Sequence, residues 1–108
     1  MPSRAEHRKR LKELPCIVTG KTDHITLHHC HGGSIKEELL ITSGGAQKTN
    51  DFLQVPLCFR LHLGDMNPEH IGIVTWEANI GMTQVEMLNR VSQLLGYDVI
   101  KYAQEAER

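Results

Sequence analysis

The sequence lacks several features, and each absence excludes a class of protein. It contains no run of about 18 apolar residues, so it offers no candidate transmembrane helix. Its first residues are charged, whereas a secretory signal peptide has an apolar middle segment. We therefore expect a soluble, cytoplasmic protein without a membrane partner.

Cysteine is scarce, with only Cys16, Cys30 and Cys58 in the chain. An odd number cannot form a complete disulfide framework, because one thiol is left over. In a reducing compartment, such residues are expected to be thiols or metal ligands. The length of 108 residues predicts one small domain, a size at which a bound metal often adds stability.

An excess of charge is also missing, since the formal net charge is only −1. The near balance conceals an asymmetry: residues 1–64 carry nine Lys or Arg against six acids, and residues 65–108 carry three against seven. A polyanion such as DNA can therefore approach the basic half although the whole protein is not basic. The candidate phosphate-contacting residues of that half are Arg8, Lys9, Arg10, Lys48 and Arg60.

Local patterns in the first half predict strands as well as a helix. Ser3 caps a charged helix that Pro15 ends, and its basic face is either a DNA-binding arm or simply solvated. The segment "CIVTGKTDHITLHHC" alternates apolar and polar residues around a glycine turn, which predicts a hairpin of 17–18 with 25–29. A long loop over 32–50, with a helical turn at 35–40, precedes an apolar strand at 52–57.

The second half is predicted to be helical. The segment "TWEANIG" is typical of a brief helix. In "TQVEMLNRVSQLLG", Thr83 and Glu86 form a capping box, apolar residues repeat on one face, and Gly96 ends the helix. Asp98 caps a last helix that reaches about Ala106.

The segment "LHHCHGG", residues 27–33, concentrates three histidines and a cysteine before a glycine turn. Two further histidines, His62 and His70, follow the predicted second strand. Imidazole is both a common metal ligand and a proton acceptor near neutral pH, so this pattern indicates a metal or proton-transfer site. The alternative for His28 and His29 is a pair of strand residues that bond to backbone carbonyls.

Four segments in this order resemble the HNH, or ββα-metal, endonucleases, and among them the small phage and prophage nucleases related to the RecA-dependent recombination-enhancement nuclease. The segments are "LPCIVTG", "LHHCHGG", "NDFLQVPLCFRLHLG" and "WEANIGMTQVEMLNRVSQLLG". The resemblance implies an α+β fold with a ββα-metal core at 14–96, a basic arm at 1–13 and a C-terminal helix at 97–108. The implied function is a metal-dependent DNA endonuclease, phage or prophage encoded and linked to recombination, with a recombinase as a candidate partner.

The same resemblance implies the roles of the histidines. His29 would be the general base, which takes a proton from the attacking water. His28, His62 and His70 would hold a divalent metal ion, Zn²⁺, Mg²⁺ or Mn²⁺, with positions left for water and phosphate.

Two elements of the family pattern are changed in this chain. In the family, an asparagine just before the second strand orients the general base. The aligned position in this chain is not an asparagine, and Asn50 and Asp51 just upstream are the candidates for its role. Relatives hold a structural zinc through paired Cys-x-x-Cys motifs, of which only Cys16 and Cys58 remain here as candidate ligands.

Two other functions fit these residues. A nucleic-acid-binding module without activity would keep the ββα scaffold, and the changed motifs favour it as the alternative. A small structural zinc protein that acts through protein contacts is the third hypothesis. DNA cleavage that depends on a divalent ion distinguishes the first hypothesis from the other two.

Overall fold

The computed structural model describes residues 2–39, 50–64 and 68–106, with side chains for all of these except Glu69 and His70. In this part the chain is a mixed α+β domain whose helices pack against a two-stranded antiparallel sheet. None of the helices described is both long enough and apolar enough to cross a membrane. The elements in chain order are α1 (Arg4–Lys12), β1 (Ile25–His29), α2 (Gly33–Leu39), β2 (Gln54–Cys58), α3 (Phe59–His62), α4 (Pro68–Ile71), α5 (Ile73–Ile80), α6 (Gln84–Leu95) and α7 (Val99–Ala106).

The sheet pairs β1 with β2, in a register that runs from Ile25 opposite Cys58 to His29 opposite Gln54. The predicted hairpin of 17–18 with 25–29 is therefore wrong. Residues 16–20 form a tight turn instead, in which the N–H of Gly20 donates to the carbonyl of Cys16 at 2.9 Å. Two alternating residues are too few to form a strand of their own, and Ile17 makes one hydrogen bond to Pro56 of β2.

The predicted strand at 52–57 begins two residues later, at Gln54, because Asn50 forms a turn before it. The side-chain oxygen of Asn50 accepts from the N–H of Phe52 at 2.9 Å, and its carbonyl accepts from the N–H of Leu53. Phe52 and Leu53 are buried, so their apolar character comes from core packing outside the strand.

Most predicted helices are confirmed. Ser3 caps α1, and α6 has both hydrogen bonds of the Thr83 and Glu86 capping box. Asp98 accepts from the N–H of Lys101 at the start of α7. The helical turn expected at 35–40 corresponds to α2, while residues 40–49 of the predicted loop lie outside the described part.

Trp76 of α5 joins the core to the sheet and to α3. It is fully buried, and its indole N–H donates to the carbonyl of Leu61 at 2.9 Å. Burial of a large apolar side chain contributes about 1.5–3 kcal/mol. The hydrogen bond fixes the backbone next to His62, so the core also positions the last residue of α3.

Candidate functional site

The histidines of β1 and α3 meet at a cavity of about 310 Å³. It lies where β1 ends, beside the last residue of α3 and the first of α4. More than thirty residues of sequence separate the two histidine segments, and the antiparallel pairing of β1 with β2 brings them together. The lining residues are Leu27, His28, His29, His31, His62, Leu63 and Pro68.

His28 is the buried histidine of this cavity. Successive strand residues point to opposite faces, and His28 points inward, with 2% of its surface exposed. Its ring centroid lies 5.1 Å from that of His62 and 5.0 Å from the ring of Trp76. Burial lowers the pKa of His28 from 6.5 to about 3, opposed by its hydrogen bond to Gln84. The imidazole is therefore neutral at physiological pH, which is the form that ligates metals.

Gln84 fixes which nitrogen of His28 carries the proton. Its amide N–H donates to the carbonyl of His31 at 2.9 Å, and its oxygen Oε1 accepts from the N–H of His31 at 3.1 Å. These two bonds define the orientation of the amide, so Oε1 faces Nε2 of His28 at 3.0 Å. Nε2 must then be the donor, which leaves the lone pair of His28 on Nδ1.

A buried carboxylate holds Gln84 in place. Glu77 accepts from the backbone N–H of Gln84 at 2.7 Å, from the hydroxyl of Ser34 at 2.5 Å and from the N–H of Ser34 at 3.1 Å. The Ser34 hydroxyl oxygen in turn accepts from the N–H of Val85 at 3.2 Å. This network ties the first residues of α2 and α6 together, immediately behind the histidine segment.

A second hydrogen-bonded pair fixes His62. The hydroxyl of Thr26 donates to the carbonyl of Leu57 at 3.2 Å and lies 2.7 Å from Nδ1 of His62. When the single hydroxyl proton goes to Leu57, Nδ1 of His62 donates to the Thr26 oxygen and the lone pair of His62 is on Nε2. Partners of this kind orient metal-ligating histidines in many proteins.

His29 belongs to the other face of β1 and is exposed. Partial burial lowers its pKa; the carboxylate of Asp51 opposes this shift, while Arg8 and His31 reinforce it. A lowered pKa keeps the imidazole in the neutral, proton-accepting form at pH 7. The neighbouring histidines are thus in different surroundings, one buried beside His62 and one beside Asp51 and Arg8.

Asn50 and Asp51, the candidates for orienting the base, differ in their contacts. Asn50 caps the turn before β2 and donates to the carbonyl of Ala103 at 2.8 Å, which ties the turn to α7. Asp51 accepts from the side chain of Gln54, the residue opposite His29 in the sheet, and interacts electrostatically with His29. Asp51 is therefore the acidic neighbour of the predicted base, while Asn50 stabilises the backbone.

Among the described residues, no three His, Cys, Asp or Glu side chains are close enough to share one ion. The described histidines that line the cavity are His28, His29, His31 and His62, and the ring centroid of His31 lies 6.0 Å from that of His28. The side chain of His70, the remaining predicted ligand, lies outside the described part. Its backbone belongs to α4, whose first residue, Pro68, lines the cavity.

The cysteines are free thiols and all are buried. Cys16 accepts from the N–H of Thr19 at 3.4 Å; burial raises the pKa of Cys16, but hydrogen bonds from Thr19, Cys58 and Val18 lower it overall. Burial raises the pKa of Cys30 well above its ordinary value, so this thiol is unreactive. The predicted structural site thus has two sulfur donors, Cys16 and Cys58, with Thr19 and Leu61 in the other two places of the motif.

The basic candidates divide into two regions. Arg8, Lys9 and Arg10 are exposed on α1, which packs on both strands. Arg8 acts electrostatically on His29, whereas Arg10 lies over the ring of Tyr97 and 3.9 Å from Glu6. Arg60 is exposed at the start of α3. Lys48 lies outside the described residues.

The sequence reasoning missed the residues that position the histidines. Thr26 could have been found, because it is two residues from His28 and strand alternation puts both on one face. Gln84 and Glu77 gave no such signal, since the capping box locates the start of α6 but not what its first residue contacts. His7 was also missed: it is fully buried, and its Nδ1 lies 2.8 Å from the hydroxyl of Tyr97.

Comparison with known proteins gives no relative for this chain. No family model, curated protein or solved structure matches it. A functional proposal therefore depends on the residues and their geometry.

Proposed function

We propose that this protein is a metal-dependent DNA endonuclease with a ββα-metal core formed by β1, β2 and α3. One observation carries the proposal: His28 and His62 meet at one cavity, and each ring is oriented by a separate hydrogen-bond partner, Gln84 and Thr26. The two antiparallel strands, with α2 between them in the chain, are followed by α3, which ends at His62; two strands and then a helix are the elements of a ββα core.

The donor set suits a divalent metal ion. Nδ1 of His28 carries its lone pair, Nε2 of His62 would be the ligand when Nδ1 donates to Thr26, and both imidazoles have a hydrogen-bond partner that orients the ring. His70, the remaining ligand that the resemblance implies, would add a third nitrogen. A bound divalent ion would neutralise the charge that develops on the phosphate and the leaving oxygen during hydrolysis.

The protein's own residues account for the proton transfer. His29 is exposed and has a lowered pKa, so it can accept a proton from a water molecule at neutral pH. Asp51 would stabilise the imidazolium that forms, because its carboxylate acts on the same ring. The exposed basic residues of α1 would hold the DNA backbone beside this histidine.

The alternative, a DNA-binding module without activity, is favoured by one observation. The described residues supply no complete three-ligand metal site. Such a module would use the same basic surfaces and would keep His28 and His62 as hydrogen-bonded core residues.

A plasmid-nicking assay distinguishes the two functions. Purified protein is incubated with supercoiled DNA and Mg²⁺, Mn²⁺ or Zn²⁺, with and without chelator, and DNA retention is measured in parallel. The nuclease proposal expects nicking that chelator abolishes and that His62→Ala removes, while the exposed α7 variant Gln104→Ala is unchanged. Retention of DNA without nicking under every ion would support the binding module instead.

A further inference from the structure

A second cavity, of about 490 Å³, opens where the start of α3 meets the turn before β1. Its volume falls within the roughly 300–1,000 Å³ typical of small-molecule sites. The cavity is separate from the histidine cavity, and Arg60, a candidate phosphate contact, is one of its lining residues. Its lining residues are Lys21, Asp23, His24, Cys58, Phe59 and Arg60.

Phe59 is the exposed aromatic residue of this protein. The chain has five aromatic residues, of which Trp76 and Phe52 are buried and Tyr97 and Tyr102 stack on each other. Phe59 is 53% exposed and lines the cavity. An exposed aromatic ring beside a cavity is suited to stacking on a planar partner.

The charges around Phe59 favour an anionic partner. Lys21 and Arg60 are exposed, and neither forms an ion pair with any described residue. The acid of the cavity, Asp23, lies 3.9 Å from His24 and forms no ion pair with these two cations. An aromatic ring and two cations that line one cavity match a nucleotide, which has a planar apolar base and negative phosphates on either side.

The backbone around the cavity is fixed by hydrogen bonds. The N–H of Phe59 donates to the carbonyl of His24 at 2.9 Å, and the carbonyl of Lys21 accepts from the N–H of Cys16 at 2.8 Å. His24 has a φ of 54°, in the left-handed region that histidine adopts more readily than most residues. The backbone that carries Phe59 and Lys21 is therefore held in place by hydrogen bonds.

We infer that this cavity binds an unpaired base of the DNA strand, stacked on Phe59, with the flanking phosphates at Lys21 and Arg60. The inference rests on the proposed function, whose site is one helical turn away. Phe59 and His62 are three residues apart on α3, so their Cβ atoms are neighbours at about 5–6 Å. A base in a duplex is already stacked on its neighbours, so this site selects DNA that is single-stranded or unpaired near the cleaved bond.

The test measures DNA binding in the presence of chelator, so that it does not depend on cleavage. Phe59→Leu keeps the apolar surface and removes the ring, while the exposed α6 variant Leu94→Ala is the matched control. Single-stranded and duplex DNA of one sequence are titrated into each protein. We expect Phe59→Leu to weaken single-strand binding about 5- to 100-fold, with little change for the duplex and none for Leu94→Ala.

A second variant reports the stacking directly. In Phe59→Trp, a single-stranded thymidine oligonucleotide should quench the fluorescence of the new indole, and an abasic oligonucleotide with the same phosphates should not. The unmodified protein, which has only the buried Trp76, provides the background. Unchanged single-strand affinity in Phe59→Leu, or equal quenching by the abasic strand, would overturn the inference even if nicking is observed. If Phe59→Leu binds single-stranded DNA more weakly, as expected, but the unmodified protein does not nick DNA with any divalent ion, the base site is supported. Only the nuclease proposal is then contradicted.

Discussion

Oε1 of Gln84 lies 3.0 Å from Nε2 of His28, and the same amide bonds both backbone groups of His31. One side chain of α6 therefore determines the proton position of the buried histidine and the path of the loop that follows it. Gln84 is fully buried, as is its bond to His28, and the two bonds to His31 are partly buried, so the loss of this amide leaves several polar groups without partners.

Replacement of Gln84 by alanine should destabilise the protein and weaken its metal binding. A buried polar group left without a partner costs about 1–3 kcal/mol, and loss of a partner behind a metal-ligating histidine lowers metal affinity about 10–100-fold. Urea unfolding measures the first effect, and calorimetric titration with Zn²⁺ or Mn²⁺ measures the second. Gln93→Ala, an exposed glutamine of the same helix, is the control. If Gln84→Ala binds metal as tightly as the unmodified protein, Gln84 does not contribute to the metal site.

Glu77→Gln should also be destabilising, because an amide N–H would face groups that already donate. The carboxylate accepts from Ser34 and from the backbone of Gln84, and the loss of one such bond costs about 1–3 kcal/mol. The exposed Glu38→Gln of α2 should change the free energy of unfolding by less than about 0.5 kcal/mol. Equal stability of the two variants would show that the network does not hold the helices together.

Gly33→Ala tests the same network from the other side. Gly33 has a φ of 44°, and a Cβ there would contact the carboxylate of Glu77. Both the backbone strain and the displaced carboxylate are destabilising. We expect a lower melting temperature than for Gly20→Ala, where φ is 77° and nothing lies within 4 Å of the added carbon. Similar melting temperatures for the two variants would show that the backbone strain alone destabilises Gly33→Ala and that the contact with Glu77 does not.

Acid should destabilise the protein partly through His7. Burial lowers the pKa of His7 from 6.5 to about 4, opposed by Asp51 and reinforced by Arg10. The unfolded chain then binds the proton more tightly, so stability is complete above about pH 6.5 and falls between pH 6.5 and pH 4. The full loss from this group is roughly 3 kcal/mol.

The variant His7→Phe should make stability less dependent on pH in that window. Phenylalanine keeps the contact with Phe52 and removes Nε2, which is buried without a hydrogen-bond partner among the described residues. Denaturant unfolding at several pH values measures the slope. His24→Asn, an exposed position with a left-handed backbone that asparagine tolerates, should keep the slope of the unmodified protein. If the free energy of unfolding of His7→Phe depends on pH as steeply as that of the unmodified protein, other groups cause the sensitivity to acid.

The basic face of α1 should contribute to DNA affinity without sequence preference. Combined replacement of Arg8 and Lys9 by alanine removes two phosphate contacts, which lowers the slope of log affinity against log salt by about 2. Filter binding of several unrelated sequences over a salt series measures this. Lys101→Ala, an exposed lysine of α7, should leave the slope unchanged. An identical salt slope in the double variant would exclude α1 from the DNA interface.

The sequence predicted the parts of this fold that depend on local signals. The caps at Ser3 and Thr83 and the stop at Gly96 are contacts between near neighbours, and these predictions are confirmed. The partner of β1 was not predictable in the same way, because strand pairing depends on contacts about thirty residues apart. The histidine motif indicated which side chains matter, whereas Gln84 and Glu77 act through the tertiary fold and have no local pattern.

A metal titration of nicking tests the central claim most directly, because it separates the base from the ligands. Initial rates are measured for His29→Ala, His28→Ala and His62→Ala, with melting curves to show that each variant is folded and with calorimetric metal binding. The proposal predicts that His29→Ala loses about 10²–10⁴-fold in rate, binds metal normally and is not rescued by more metal. His28→Ala and His62→Ala should bind metal weakly and regain part of their activity at high metal concentration. Loss of metal binding in His29→Ala, with normal binding in His28→Ala and His62→Ala, would contradict the assignment of the site.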